Sequence, residues 1–172
     1  MPGSKYLIAI LPPEPIASEI YKLKEHFRDV YHSKASLNSP AHMTLHMPFE
    51  YGNEKKLVTE FEKFSTQPFV INLENFGCFE PRVIFVAVKK NDHLEDCLRR
   101  LTDLCKCELN LFNAGYRNLP FHPHVTVAFR DLRKSQFEAA WTEFKARKYK
   151  ASFECRKVSL LKHDGKFWRE FS

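Results

Sequence analysis

The pattern His-x-Thr-hydrophobic occurs twice in this chain, as His42-Met43-Thr44-Leu45 and as His124-Val125-Thr126-Val127. With 8 His and 6 Thr in 172 residues, chance would place a Thr two positions after a His only about 0.3 times. In an extended strand alternate side chains share a face, so each His and its Thr point the same way while the intervening apolar residues enter the core. Two such strands side by side would offer two imidazoles and two hydroxyls to one small anionic group.

The sequence around the two motifs is repeated as well. Each motif follows an apolar run and a helix-like stretch, and precedes an amphipathic stretch and a β-like run. This order predicts an α+β fold, a single domain over residues 1–172 with pseudo-repeats of about 1–80 and 81–172. A pseudo-two-fold would relate the two lobes, with the motif strands at its axis. The predicted segments are 6–11, 14–32, 55–64 and 69–73 in the first half, and 82–88, 93–109, 135–145 and 151–161 in the second.

Length and composition agree with one domain. A chain of 172 residues with 44% hydrophobic content can bury a full core, and no Ser/Gly-rich stretch suggests a flexible linker. The apolar run 6–11 ends at Pro12-Pro13 and is too short for a secretory segment or a membrane span. Five cysteines without a C-x-x-C pattern indicate neither a disulfide framework nor a zinc ribbon. We therefore expect a cytoplasmic protein with reduced thiols and no membrane association.

The net charge of +6 favours an anionic partner such as RNA or a nucleotide. The densest basic group is formed by Arg147-Lys148, Lys150 and Arg156-Lys157. Such a group is either a solvated face or a surface that follows an RNA strand, and the sequence leaves both interpretations open.

Three features together resemble a known family: the paired motifs, the segment 121–127 (FHPHVTV) and the opening YLIAILPPEPIASEI. They are similar to the two-histidine (2H) phosphoesterase superfamily, in particular to its bacterial 2′-5′ RNA ligase-like and 2′,3′-cyclic phosphodiesterase branch. The resemblance implies a bilobal fold with antiparallel sheets lining a central cleft and helices outside. It also implies hydrolysis of RNA or nucleotide 2′,3′-cyclic phosphate ends to a 2′-phosphate, by a monomer without metal or cofactor. In this family scheme His124 is the general base and His42 the general acid.

The same chemistry follows from the residue types. Opening a 2′,3′-cyclic phosphate with water needs a base for the water's proton and an acid for the departing ribose oxygen. Imidazoles, with an ordinary pKa near 6.5, can fill both roles near neutral pH. Thr44 and Thr126 would donate hydrogen bonds to the non-bridging phosphate oxygens and stabilise the charge that develops there.

Arginine is expected near the phosphate, and two positions are candidates. In the RNA ligase-like branch an Arg commonly follows the second motif His by five positions, whereas here that position is Phe129 and the Arg is Arg130. Arg130 shares strand parity with His124, so it faces the cleft if no bulge intervenes. Arg82 begins a predicted strand and is the second candidate. For stacking against a base, the candidates are Phe79, Tyr116 and Phe129, each of which could instead belong to the core.

Two other functions compete with a two-histidine enzyme. His46 shares parity with His42, and His122 with His124, so four histidines could form a metal site, although such a site leaves both Thr residues unexplained. The second alternative is a non-catalytic nucleotide- or RNA-binding module that uses the same cleft. Within the enzyme class, 2′-5′ RNA ligase or phosphodiesterase activity is not separable from cyclic phosphate hydrolysis by these residues.

Overall fold

The computed structural model describes residues 3–112 and 120–172, and within them four helices and eight strands. Both halves follow the predicted order of strand, helix, motif strand, helix and strand, and the α+β fold is confirmed. Two further strands end the chain. The strands are β1 (Ser4–Ile10), β2 (Met43–Tyr51), β3 (Phe69–Phe79), β4 (Val83–Val88), β5 (His124–Ala128), β6 (Lys150–Cys155), β7 (Ser159–His163) and β8 (Trp168–Glu170). The helices are α1 (Ile16–Tyr31), α2 (Glu54–Phe61), α3 (Asp92–Leu109) and α4 (Lys134–Phe144).

Local sequence signals set the helix ends. The Asn53 side chain accepts a hydrogen bond from the Lys56 backbone N–H at 3.0 Å, and Asn91 accepts one from Leu94 at 2.8 Å. Each thereby satisfies a backbone donor that a helix start leaves without an intrahelical partner. At the other end, α3 stops where Asn110 adopts a left-handed conformation with φ of 54°.

All eight strands lie in one antiparallel sheet, in the order β6-β3-β4-β5-β2-β1-β7-β8. Strand β3 belongs to the first half of the sequence, yet it pairs with β4 and β6 of the second half. The reason is the short turn 80–82, since two strands joined by so few residues become antiparallel neighbours. One lobe therefore consists of β2, β1, β7 and β8, and the other of β5, β4, β3 and β6.

The predicted run 151–161 is two strands, and their connection shows that the sheet curls. Only residues 156–158 join β6 to β7, so the two strand ends lie at most about 14 Å apart. In a flat sheet the six intervening steps between these strands would span about 29 Å. The sheet therefore closes part of the way toward a barrel, with a concave face between the lobes.

Strand β1 shows how both faces of the sheet are covered. Tyr6, Ile8 and Ile10 are buried in the main core, which the sheet shares with all four helices. Leu7 and Ala9 point the other way and pack with Leu161 in a smaller apolar cluster on the concave face. Alternation along one strand thus builds the core and the floor of the concave face together.

In the described residues, no helix is long and apolar enough to cross a membrane.

Gly77 allows a test of this packing. It pairs with Phe85, and a Cβ at Gly77 would lie 2.5 Å from the Phe85 ring, which is itself buried and lies next to the His124 ring. We expect Gly77→Ala to lower the free energy of unfolding by about 1–3 kcal/mol, the usual cost of overpacking a core. Gly52→Ala is the matched control, because a Cβ there meets nothing within 4 Å and should change stability by less than about 0.5 kcal/mol. Chemical denaturation of both variants measures the difference; equal stabilities would contradict this account of the β3–β4 contact.

A candidate active site between the lobes

The two motifs meet at the junction of the lobes. Strands β2 and β5 are neighbours, and Met43 is paired with Val125 in antiparallel register. In such a register His42 lies opposite Thr126, and Thr44 opposite His124. Each histidine is therefore adjacent to the threonine of the other motif, as a two-fold axis through the central pair requires.

Burial alternates along both motifs as the sequence predicts. Met43 and Val125 are each 2% exposed, whereas the two histidines and two threonines are half-buried. These four polar residues line a cleft of about 810 Å³ on the concave face. The described residues that line it include no Asp or Glu, which suits an anionic ligand. Its other lining residues include Ser36, Asn38, Ser39, Phe79, His122, Phe129 and Arg130, with Leu7, Met47, His163 and Trp168 toward the first lobe.

The two imidazoles are held in the same way. His42 Nδ1 lies 2.8 Å from the Pro40 carbonyl oxygen, and His124 Nδ1 lies 2.8 Å from that of His122. A carbonyl oxygen only accepts hydrogen bonds, so Nδ1 carries the proton in both neutral rings. Each Nδ1–H donates a hydrogen bond to the backbone carbonyl two residues earlier. The Nε2 atom of each ring is thereby left unprotonated and can take up or deliver a proton in the cleft.

Burial lowers the pKa of both histidines. For His42 the pKa falls to about 4, because desolvation is reinforced by repulsion from the Lys24 ammonium and, less strongly, from His124. The pKa of His124 is also lowered, mainly by desolvation. Both imidazoles are therefore neutral in the free protein at pH 7, and an anion bound between them would favour their protonation.

The segment before His42 is bonded to the second lobe. The Asp131 carboxylate, just after β5, accepts hydrogen bonds from the Ser33 hydroxyl at 2.8 Å and from the Lys34 and Ala35 backbone N–H groups at 2.9 and 3.0 Å. The Ser36 hydroxyl donates to the Val127 carbonyl at 2.7 Å. These contacts couple the position of His42 to the strand that carries His124.

His46 does not reach the cleft. Strand β2 is bulged, since Ala9 pairs with Thr44 but Ile8 pairs with His46, so one extra residue reverses the parity that the sequence predicts. His46 is 4% exposed, and its ring packs against Phe49. In the described part of the chain no three His, Cys, Asp or Glu side chains are placed to hold a metal ion. The four-histidine alternative therefore has no geometric basis here.

Arg130 lines the cleft, but not by strand parity. Strand β5 ends at Ala128, and its pairing with β4 shifts between Thr126 and Ala128, so both Val127 and Ala128 are buried. This shift is the bulge that the prediction for Arg130 required to be absent, so alternation along β5 does not explain its position. Arg130 follows the end of β5 in a left-handed conformation with φ of 62°, and its guanidinium lies 5.7 Å from the centroid of the Phe129 ring.

The remaining predicted site residues differ in whether they line the cleft. Phe79 and Phe129 line the cleft, and the Phe79 ring centroid is 5.1 Å from that of His124. Arg82 lies in the turn before β4 instead of starting a strand; it is exposed and does not line the cleft, so its predicted placement is wrong. Tyr116 falls outside the described residues, and its role stays a prediction.

Sequence reasoning missed three residues that matter to the cleft. His163 and Trp168 line it from β7 and β8, and their rings contact each other at 4.9 Å between centroids. Neither belongs to the repeated pattern, so no signal in the sequence selects them. Lys24 lies on α1 and is buried behind His42, whereas helical periodicity predicts no special role for a single lysine.

The basic group near the C-terminus does not line the cleft. Three of its members are engaged in ion pairs: Arg147 with Glu143 at 3.1 Å, and Arg156 and Lys157 with other glutamates, each at 2.7 Å. These contacts favour the solvated-face interpretation over a surface that follows RNA.

The chain matches the model of the 2′-5′ RNA ligase superfamily over residues 12–167, and it belongs to this superfamily. The resemblance to two-histidine phosphoesterases is thus confirmed at the level of the superfamily. No curated protein matches the chain in sequence.

Solved structures share the fold over nearly the whole chain. TT0787 of Thermus thermophilus has a TM-score of 0.65 at 18% identity, covering 98% of this chain and 95% of that one. E. coli LigT complexed with 3′-AMP has a TM-score of 0.65 at 19% identity, with 100% and 97% coverage. LigT complexed with phosphate has a TM-score of 0.61 at 17% identity, with 100% and 96% coverage. At these identities the likeness shows the fold alone.

The different surroundings of the two histidines lead to a prediction about the free protein. In NMR titrations with labelled histidine, both imidazoles should titrate below 6.5, and His42 should titrate lower than His124, because desolvation by burial and repulsion from Lys24 both disfavour its protonated form. The exposed His32 serves as a reference signal in the same sample. A His42 midpoint at or above that of His124 would contradict the electrostatic account.

Proposed function

We propose that this protein is a metal-independent cyclic phosphodiesterase that hydrolyses RNA or nucleotide 2′,3′-cyclic phosphate ends to 2′-phosphates. The observation that carries the proposal is the register of Met43 and Val125, which brings two imidazoles and two threonine hydroxyls to one cleft. Cyclic phosphate hydrolysis needs one proton removed and one delivered, and the two free Nε2 atoms can do both.

The electrostatics of the cleft suit this substrate. A cyclic phosphodiester is an anion, and the described lining offers it histidines, hydroxyls and Arg130 without a competing carboxylate. Thr44 and Thr126 would hydrogen-bond the non-bridging oxygens, and Arg130 at the rim would add a positive charge. Phe79 and Phe129 provide aromatic surface in the same cleft for a nucleobase.

The different environments of the two histidines support distinct roles. We assign His124 as the general base and His42 as the general acid. Repulsion from Lys24 makes the protonated form of His42 less stable, so protonated His42 is the stronger proton donor toward the departing ribose oxygen. His124 has no such buried cation among the causes of its pKa shift and is the better proton acceptor for water. Binding of the anionic phosphate favours protonation of both imidazoles, and the proposed roles require that His42 carries the proton in the complex.

Structural relatives are consistent with a nucleotide or phosphate ligand. E. coli LigT has been crystallised with 3′-AMP and with phosphate, and a further related structure is described as a phosphoesterase. The proposal for this chain includes a cytoplasmic, monomeric protein, in keeping with five cysteines that are all unpaired in the structure. A 2′-5′ RNA ligase or phosphodiesterase remains the second candidate, because ligation is the reverse of phosphodiester cleavage and uses the same groups.

Incubation with an oligonucleotide that ends in a 2′,3′-cyclic phosphate, in the presence of EDTA, tests this function. We expect turnover to survive chelation and to yield a 2′-phosphate. His42→Ala and His124→Ala should each lower kcat by roughly 10²-fold or more, since each removes one proton transfer. His46→Ala is the matched control for activity, because His46 lies outside the cleft lining.

Four outcomes would overturn the proposal in different ways. Near-wild-type turnover by either cleft-histidine variant would exclude the two-histidine mechanism. Loss of activity in EDTA with rescue by Zn²⁺ would require metal chemistry. Tight binding of the cyclic end without any turnover of it would favour a binding module, whereas joining of RNA ends in place of hydrolysis would favour the ligase.

A substrate with a better leaving group tests the two roles. In a cyclic 3′-phosphorothiolate, sulfur replaces the leaving ribose oxygen, and a thiolate needs far less protonation because the thiol pKa is about 8.5. His42→Ala should then regain most of its lost kcat, while His124→Ala stays impaired because its water still needs a base. The reverse pattern would exchange the roles, and equal rescue of both variants would mean that phosphate positioning carries more of the rate.

A further inference from the structure

Lys24 is a buried cation with an unusual set of partners. It lies on α1, is 1% exposed, and its ammonium Nζ lies 2.9 Å from the Ser36 carbonyl oxygen, 2.9 Å from that of Ser39 and 3.2 Å from that of Pro40. An ammonium has three N–H donors, and here each can meet one backbone carbonyl. All three acceptors belong to the segment that leads into His42.

Burying the Lys24 ammonium is unfavourable unless other interactions compensate for its desolvation. Removing an ammonium from water is unfavourable, and no carboxylate is among the hydrogen-bond or electrostatic partners that the structure shows for Lys24. The desolvation lowers the pKa of Lys24 to about 7. The three hydrogen bonds offset part of this cost, and they tie residues 36–40 to α1 at three points.

One of the three acceptors also holds a histidine. The Pro40 carbonyl oxygen receives the Lys24 ammonium and, at 2.8 Å, the Nδ1–H of His42. The lysine and the imidazole therefore bond to the same carbonyl oxygen, so a shift of that oxygen would disturb the hydrogen bond that orients the His42 ring.

We propose that Lys24 is a positioning residue for His42: its buried ammonium fixes the segment whose Pro40 carbonyl orients the imidazole in the cleft. This inference rests on the proposed function for its effect on turnover, and on the geometry alone for its effect on the imidazole. Lys24 itself does not line the cleft and is not a catalytic residue.

The same interaction distinguishes the two histidines. Helix α3 occupies the place of α1 in the second half, and its buried side chains are leucines and cysteines only: Leu94, Cys97, Leu101, Cys105 and Leu109. Among the described residues, α3 therefore offers no buried cation in the second half that corresponds to Lys24. Lys24 breaks the symmetry of the site, as an acid and a base with different tasks require.

The charge of Lys24 is a second influence on His42, separate from its effect on position. The charged or titratable side chains that act on His42 in the described structure are Lys24 from α1 and His124 from β5, and both disfavour its protonation. The Pro40 carbonyl acts in the opposite sense, since it stabilises the N–H that it accepts. With Lys24 neutralised, His42 should therefore bind its proton more readily and donate it less readily.

Two substitutions separate position from charge. Lys24→Met removes the charge and all three donors, whereas Lys24→Gln keeps an amide that can donate to two of the carbonyls without charge. Lys22→Met, at an exposed lysine of the same helix, is the matched control. For each folded variant, NMR titration of the labelled imidazoles is measured beside kcat and KM on the 2′,3′-cyclic-phosphate oligonucleotide.

In Lys24→Met we expect the His42 midpoint to rise while that of His124 stays, and kcat to fall roughly tenfold with KM within about twofold. Lys24→Gln should recover part of kcat but keep the raised midpoint, because orientation returns and charge does not. Lys22→Met should match the wild type in all readouts. Should Lys24→Met fail to fold, the Gln variant carries both measurements.

An unchanged His42 titration together with a kcat within twofold of the wild type, in a folded Lys24 variant, would overturn the inference and leave Lys24 a structural residue. The titration needs no turnover. If the protein does not hydrolyse the cyclic phosphate, the chemical shifts of the neutral His42 ring report its orientation: shifts that change in Lys24→Met and return in Lys24→Gln support the positioning role, and shifts equal to those of the wild type in both variants contradict it.

Discussion

The pairing of Met43 with Val125 is the contact on which the rest of the site depends. It is the register point between β2 and β5, and the two lobes of the sheet join along these strands. A slip by one residue would turn the polar side chains of one motif into the core and its apolar side chains into the cleft. Because both central residues are almost fully buried, the hydrophobic effect opposes such a slip. The burial of Met43 and Val125 therefore places the two imidazoles in the same cleft.

Much of this could be predicted because the relevant signals are local. The alternation in the two motifs identified strands, and apolar periodicity placed the four helices within a few residues of their observed ends. Parity failed where the pairing is irregular: His46 and Ala128 are buried because of shifts between neighbouring strands. A bulge depends on how two strands pair, so it cannot be predicted from the sequence of one strand alone. Likewise, β3 joins the other lobe because of the turn that follows it, whereas counting repeats assigns it to its own half.

Most residues that line the cleft are brought together by the fold, and no sequence pattern predicts their proximity. His163 and Trp168 arrive from the last two strands, which reach the first lobe only because the sheet curls. The Asp131 carboxylate lies almost one hundred positions from the backbone N–H groups that it accepts from. These contacts join residues far apart in the sequence, so no short stretch of sequence reveals them. The sequence therefore predicts the paired histidines and threonines better than it predicts the other residues that line the cleft.

A symmetric pair of histidines presents a chemical problem, since identical imidazoles would share one affinity for protons. The proposed hydrolysis of a cyclic phosphate needs one group that gives a proton while the other takes one. The two anchoring hydrogen bonds are the same, each to the carbonyl two residues earlier, so they cannot supply the difference. Burial is the largest cause of the lowered pKa of both rings, and the neighbouring charges differ, since Lys24 acts on His42 and His122 acts on His124. The buried ammonium of Lys24 acts on one ring alone, through the carbonyl that they share and through its charge. A repeated scaffold thus places two similar groups, and side chains that the two halves do not share, Lys24 foremost, make them unequal.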